Sequence, residues 1–249
     1  MTRIAVLGAN GRMGRLVVDE IARDPALQLV AAVGRSAGRL PGGAPVVPLG
    51  PGCFGDAEVV VDFSLPDALE QALPWLGPRA LVSGTTGGTP AQRAAVEAHA
   101  ARGPLLVEAN FSLGVAVLLD LVRRAVAALP AADVEVVETH HRRKRDAPSG
   151  TALALVAAAE AARAGTRRVY GRDGVTGERS ASEIGVHAVR GGDIVGDHDV
   201  WLLADGERVG LSHRATSRAT FAVGAVRAAR FVAGRPAGRY ALRDVLGWE

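Results

Sequence analysis

His140 and His141 stand side by side, an ammonium follows at Lys144, and Ser149-Gly150-Thr151 comes directly after Pro148. A histidine gives or takes a proton near neutral pH, and a lysine holds a carboxylate or donates a proton. A Ser-Gly-Thr segment that opens a helix presents hydroxyls and N–H groups to an anion. Together these residues describe an acid site that grips carboxylates. The two histidines end an alternating apolar run, Val134 to Thr139, so they point to opposite faces and only one need reach a given substrate atom. Of the 29 Lys+Arg residues Lys144 is the one lysine, and a guanidinium cannot replace a compact, titratable ammonium. Plainer readings of the same residues are chance survival of the lysine, a solvated basic loop at Arg142 to Arg145, and simple N-capping by Ser149. Adjacent histidines without Cys or carboxylate neighbours have poor spacing for zinc, so no metal is expected.

A second constellation lies at the other end of the chain. Gly8-Ala9-Asn10-Gly11-Arg12-Met13-Gly14 follows the apolar run Ile4 to Leu7 and precedes a helical pattern with Met13, Val17 and Ile21 on one face. Glycines in that place permit a tight turn and let N–H groups approach a pyrophosphate at the helix N-terminus. After the second apolar run, where an acid often holds the ribose of NAD, the chain has Gly34-Arg35-Ser36. An arginine beside an absent acid favours a 2′-phosphate, hence NADPH over NADH. Gly84-Thr85-Thr86-Gly87 and Ala109-Asn110-Phe111-Ser112, the latter preceded by Glu108, end two further runs and face the nicotinamide end if the sheet is open and parallel. Ordinary strand-to-helix turns would look similar.

These residues need a frame. Short continuous apolar runs, Ile4 to Leu7, Leu27 to Val33, Val59 to Phe63, Ala80 to Val82 and Leu105 to Val107, suit strands buried on both faces. Helix signals lie between them: Arg15 to Arg23, Pro66 to Leu76 with Pro66 at N1, and Pro90 to Arg102 capped by Thr89. This is the pattern of a Rossmann-like, doubly wound parallel sheet in an α/β chain. The Gly/Pro-rich stretch from Gly34 to Gly55 reads as loop in place of a crossover helix. After Asn110 come a long apolar helix, Gly114 to Leu129, the strand Val134 to Thr139, and an Ala-rich helix, Ser149 to Ala164. Three strand-like runs then follow without helices, Ile184 to Val189, Ile194 to Leu203 and Arg208 to Ala215, with Asp205-Gly206 as a type I′ hairpin signal. That change of rhythm predicts a second, α+β domain with a mixed or antiparallel sheet. The helix Thr220 to Ala233 and the tail Tyr240 to Trp248 fit either domain.

Composition narrows the rest. The chain has 249 residues, 48% of them hydrophobic, and a formal charge of only +3, with arginines spread through every element. Nucleic-acid binding is not expected from such a distribution. No uncharged apolar run approaches the roughly 20 residues of a membrane span. The single Cys53 and the absence of a signal-peptide core make the cytoplasm the expected location.

With these residues in view, the chain resembles the 4-hydroxy-tetrahydrodipicolinate reductase family, long called dihydrodipicolinate reductase. The likeness rests on Gly11-Arg12-Met13-Gly14, Asp62-Phe63-Ser64, Gly84 to Gly87, Ala109 to Ser112, His140 to Ala152 and Arg190-Gly191-Gly192-Asp193-Ile194-Val195-Gly196, and it covers nearly the whole chain. Two departures are Gly34, where many members carry an acid, and Glu108, where a small residue is common. The resemblance implies an NADPH- or NADH-dependent reduction of a cyclic dicarboxylate. His140 is then proton donor or acceptor and Lys144 proton donor, with His141, Ser149, Gly150 and Thr151 at the substrate. Gly8, Ala9, Asn10, Gly11, Arg12, Met13, Arg35, Gly84, Thr85, Thr86, Glu108, Ala109, Asn110 and Phe111 are the cofactor residues. It also implies a dinucleotide domain of residues 1–111 completed by 219–249, a substrate-binding and oligomerisation domain of residues 112–218 that closes on a hinge, and a homotetramer built through the second sheet. Open readings are another reductase of a small carboxylated imine or carbonyl, and a non-enzymatic dinucleotide sensor.

Overall fold

The computed structural model describes residues 1–248. In chain order the first elements are β1 (Thr2–Leu7), α1 (Arg12–Arg23), β2 (Leu27–Gly34), β3 (Gly38–Arg39), β4 (Pro45–Pro48), β5 (Val59–Asp62), α2 (Pro66–Leu76), β6 (Ala80–Ser83), α3 (Pro90–Glu97) and β7 (Pro104–Val107). There follow α4 (Leu113–Ala128), β8 (Asp133–His140), α5 (Gly150–Ala162), β9 (Arg167–Tyr170), β10 (Glu183–Arg190), β11 (Gly196–Ala204) and β12 (Glu207–Ala215). The chain ends with α6 (Ala219–Val232), β13 (Gly238–Tyr240) and α7 (Leu242–Val245). It divides into two compact units, Met1–Leu113 with Arg218–Glu249, and Gly114–Ser217.

The first unit is an eight-stranded sheet in the order β13-β7-β6-β5-β1-β2-β4-β3. Its pairings are parallel except for the short β3–β4 ladder. The apolar runs are continuous because both faces are covered. Leu69, Ala72, Leu73 and Leu76 of α2 and Val96 of α3 pack with Ala5, Leu7, Val60, Leu81 and Leu105 of the strands. Helices α1 and α6 touch each other, α1 lies against β1 and β2, and α6 against β5, β6 and β7. Pro66 and Pro90 stand in the first turns of α2 and α3, and Thr89 closes a capping box with Gln92,.

Three sequence expectations change here. Helix α1 begins at Arg12 rather than Arg15, and α3 gives way to a 3-10 turn over Ala98–Ala101. The Gly/Pro-rich stretch holds β3 and β4, with β4 extending the sheet in parallel with β2 and Val46 buried. Its glycines and prolines mark turns around strands too short for a periodic signal.

The second unit is a five-stranded mixed sheet, β12-β11-β8-β10-β9. Alternation assigns its two faces. Val134 and Val136 of β8, Ile184 and Val186 of β10, and Val200 and Leu202 of β11 pack under Leu118, Val122 and Val126 of α4 and Leu155, Val156 and Ala159 of α5,. The odd positions form the opposite face, where Val189 and Trp201 are 48% and 44% exposed. The hairpin predicted at Asp205-Gly206 is present, closed by the Ala204–Glu207 pair. It is not type I′, because Gly206 has φ 83 and, among the described residues, no non-glycine residue has positive φ. Positive φ at the second central residue alone is the type II pattern.

Candidate active site

In the first unit, the predicted cofactor residues gather at the carboxyl ends of β1, β2, β6 and β7. The turn after β1 is set by Gly8, whose N–H and that of Ala9 both donate to the Val33 carbonyl, while its own carbonyl accepts from Gly11. Gly8 has φ +80, and a Cβ on Gly14 would stand only 2.2 Å from the Gly8 oxygen, so side chains at either position would break the turn,. The N-terminus of α1 carries no side-chain cap and no acidic residue in its first turn. Its N–H groups and dipole therefore suit a pyrophosphate, and the cradle fits a dinucleotide. Asn10, Arg12 and Arg35 are exposed around it.

Beneath the loop lies Asp62, which the sequence motifs included without a role. It is fully buried, and burial pushes its carboxyl up even though Ser64 and Ser83 donate hydrogen bonds to it at 2.5 and 2.6 Å. It joins the end of β5 to the end of β6. Beyond β6 and β7 is a cavity of about 240 Å³ whose walls include Thr85, Thr86, Gln92, Arg93 and Ala109. Phe111 is buried and meets the Phe63 ring edge-on at 5.6 Å. The Asn110 side chain accepts from the Ser112 N–H. The Glu108 carboxylate accepts from the Leu242 N–H at the start of α7.

In the second unit, the residues from the histidine pair to Thr151 cluster where β8 ends and α5 begins. His140 is 8% exposed, on the helix-covered face, and its Nδ1 lies 2.5 Å from Glu138. His141 lies just past the strand, its N–H donating to the Ile194 carbonyl and its ring accepting from Arg143 N–H. The Lys144 ammonium donates to both oxygens of Asp146 at 2.9 Å, which holds the Asp146 carboxyl below the usual range. Gly150 and Thr151 form the first turn of α5, whose opening turn has no acidic residue.

Ser149, expected at the substrate, is the N-cap of α5. It is 2% exposed, its hydroxyl caps the Ala152 N–H and touches His198, and its own N–H donates to Glu138. The residue builds the helix terminus, a role worth about 1 kcal/mol in caps of this kind.

Sequence reasoning missed Glu138, Arg190 and His198. Glu138 is two residues before His140 and thus on the same strand face, a signal that alternation alone supplies. Arg190 is paired in register with His140, and His198 with Glu138 across the antiparallel β8–β11 ladder. Arg190 forks both nitrogens onto Glu138 at 2.7 and 2.8 Å and also reaches the Asp146 carbonyl. The His198 ring meets His140 edge-on at 5.2 Å, and burial, with His140 beside it, pushes His198 down to about 4.

Two family models match in sequence: dihydrodipicolinate reductase, N-terminus, over residues 2–111, and dihydrodipicolinate reductase, C-terminus, over residues 114–246. The chain belongs to the dihydrodipicolinate reductase family. Relatives named 4-hydroxy-tetrahydrodipicolinate reductase include one from Anaeromyxobacter sp. (strain Fw109-5), 48% identical over 99% of this chain and 98% of that protein. Another from Halorhodospira halophila (strain DSM 244 / SL1) is 45% identical over 98% of each. A solved dihydrodipicolinate reductase, dipicolinate-bound and from Paenisporosarcina sp. TG-14, has a TM-score of 0.76 at 23% identity over 97% of both chains, a likeness of fold. The dihydrodipicolinate reductase motifs thus occupy both units, the glycine turn in the first and the histidine–lysine run in the second.

Proposed function

We propose that this chain reduces 4-hydroxy-tetrahydrodipicolinate, with loss of water, to tetrahydrodipicolinate on the diaminopimelate and lysine route, with NADPH preferred and NADH usable. The observation that carries this reading is the cluster at the start of α5. There, His140 rests on Glu138 and stands in one cluster with Lys144 and the acid-free first turn of a helix. When bound, the nicotinamide supplies the hydride. The chain's own residues supply the grip and the proton.

A dicarboxylate needs cationic and N–H partners, and in this reading His141, Ser149, Gly150 and Thr151 supply them, the last three at a helix N-terminus. Hydride addition to a conjugated imine leaves an electron-rich ring that takes up a proton. Lys144 is the donor in this reading, with His140 as donor or acceptor. Asp146 holds the ammonium until a substrate carboxylate competes for it.

On the cofactor side, Gly8, Ala9, Asn10, Gly11, Arg12 and Met13 hold the pyrophosphate, and Arg35 meets the 2′-phosphate. Gly84, Thr85, Thr86, Ala109, Asn110 and Phe111, with the backbone of Glu108, line the nicotinamide end. The first unit is then the dinucleotide domain, residues 1–111 with 219–249, and residues 112–218 bind substrate. The open face of the second sheet, with Val189 and Trp201, supports a homotetramer in the cytoplasm; light scattering that gave a 25.7 kDa monomer at micromolar concentration would refute the assembly,.

The test of function is to add the protein to freshly generated 4-hydroxy-tetrahydrodipicolinate and follow NADPH absorbance. Loss of absorbance that depends on both is expected. A flat trace from folded protein that binds NADPH would overturn the assignment and favour a dinucleotide sensor.

A further inference from the structure

The acid–base reading of His140 leaves two of its neighbours without a task. Glu138 is 0% exposed, and every lone-pair direction of its carboxylate is used,. One oxygen accepts from His140 Nδ1 at 2.5 Å and Arg190 at 2.8 Å; the other accepts from Arg190 at 2.7 Å and the Ser149 N–H at 2.9 Å. Burial alone would push this carboxyl up, but the hydrogen bonds, those of Arg190 first, outweigh it and hold Glu138 below the usual carboxylate range. An ionised carboxylate only accepts, so His140 Nδ1 is the donor. In the neutral ring Nε2 then carries the lone pair.

The other neighbour is Gly196, the last residue of the Arg190 to Gly196 motif. It pairs with Ala215 in the β11–β12 ladder and is not among the glycines of positive φ, so its backbone conformation is open to any residue. The ring explains it. A Cβ at position 196 would stand 2.9 Å from His140 Nε2 and 3.4 Å from Cδ2, closer than real side chains approach. His198, neutral and edge-on, backs the same imidazole without adding charge beside it.

We propose that Glu138 is a positioning residue that locks His140 in its Nδ1–H form, and that Gly196 keeps the Nε2 side uncovered so that Nε2 exchanges the proton of the reaction. This rests on the acid–base reading of His140 above. The same carboxylate also binds the Ser149 N–H, so the tautomer of the histidine and the cap of the anion-binding helix are set by one group.

The experiment compares wild-type enzyme with Glu138→Gln, Gly196→Ala, His140→Gln and the double variant Glu138→Gln/His140→Gln. It measures steady-state kinetics, NADPH binding, and the ring-nitrogen NMR signals of labelled histidine. In Glu138→Gln, kcat falls at least about tenfold, below the 10²- to 10⁴-fold that general acid–base catalysis contributes in full. KM moves less, NADPH affinity is unchanged, and the His140 signals lose the Nδ1–H pattern. Adding Glu138→Gln to His140→Gln costs nothing further, because the residue acts through the ring. Gly196→Ala lowers kcat with intact NADPH binding, which keeps the proposal testable should Glu138→Gln fold poorly. Unchanged ring signals in Glu138→Gln, an equal loss in both backgrounds, or full activity of Gly196→Ala would overturn the proposal while His140 remained required. Near-normal kcat in His140→Gln would overturn the acid–base reading itself.

Discussion

Asn10 and Gly34 share one space: a Cβ on Gly34 would stand 2.9 Å from the Asn10 amide nitrogen, and equally close to a methyl of Val46. The amide of the glycine turn occupies the place toward which a ribose-binding acid would grow, and it presents a donor there. Arg35 follows, exposed. A charge-assisted contact to phosphate is worth roughly 1.5–3 kcal/mol, about ten- to a hundredfold in affinity. Arg35→Ala is therefore expected to lower the NADPH/NADH ratio of kcat/KM by about that factor. Gly34→Asp should weaken both cofactors. An unchanged ratio in Arg35→Ala, or NADH as the better cofactor of the native chain, would refute the preference.

Lys144 offers a second test. Lys144→Arg preserves charge and could still pair with Asp146, but a guanidinium does not give up a proton. Both Lys144→Arg and Lys144→Ala should lose at least about a hundredfold in kcat, with NADPH binding nearly constant. Near-normal kcat in Lys144→Arg would make the residue a charge only.

The buried histidine behind the site makes stability depend on pH. His198 titrates at about 4 in the folded chain against an ordinary 6.5. The unfolded chain thus binds the extra proton between those values, and the contribution is fully present above pH 6.5 and lost as pH falls toward 4. At ~1.4 kcal/mol per pH unit it is on the order of 3 kcal/mol. Denaturant unfolding at pH 7, 5.5 and 4.5 should show a steep decline that is shallower in His198→Gln. Parallel curves would show that the ring is solvated.

A third pairing lies on the opposite face of the second sheet, where the Glu135 side chain crosses directly over Gly185, its register partner. A Cβ there would overlap the carboxylate, which Arg172, Arg179 and His187 otherwise hold at 2.7–3.2 Å. Gly185→Ala should cost about 1–3 kcal/mol by overpacking alone. Added to Glu135→Ala, it should cost much less. Additive losses in calorimetry or denaturant unfolding would mean that the two residues do not share the space.

How far the sequence could be read depended on the range of the interactions. The glycine turn and the Ser149 cap were legible because each is a local device within a few residues. Arg190 was not, since its task arises only when β10 and β8 align and bring it to Glu138 from 52 residues away. Strand β4 was hidden because four residues that begin and end with proline carry no period, and it exists by pairing with β2 and β3. The Asp205-Gly206 hairpin was visible, whereas its turn type depends on a φ that composition does not determine.

The discontinuity of the first unit bears on how the chain is made. Strand β13 borders β7, and α6 covers β5 to β7, so the sheet begun by β1 is not finished until residues 238–240 exist. During synthesis its α6 side remains apolar and uncovered while the inserted unit, contiguous in sequence, has all its parts and can fold first,. A truncation before Ala219 should therefore leave a folded second unit attached to an aggregation-prone first one, so that the inserted unit is the part that tolerates an incomplete chain.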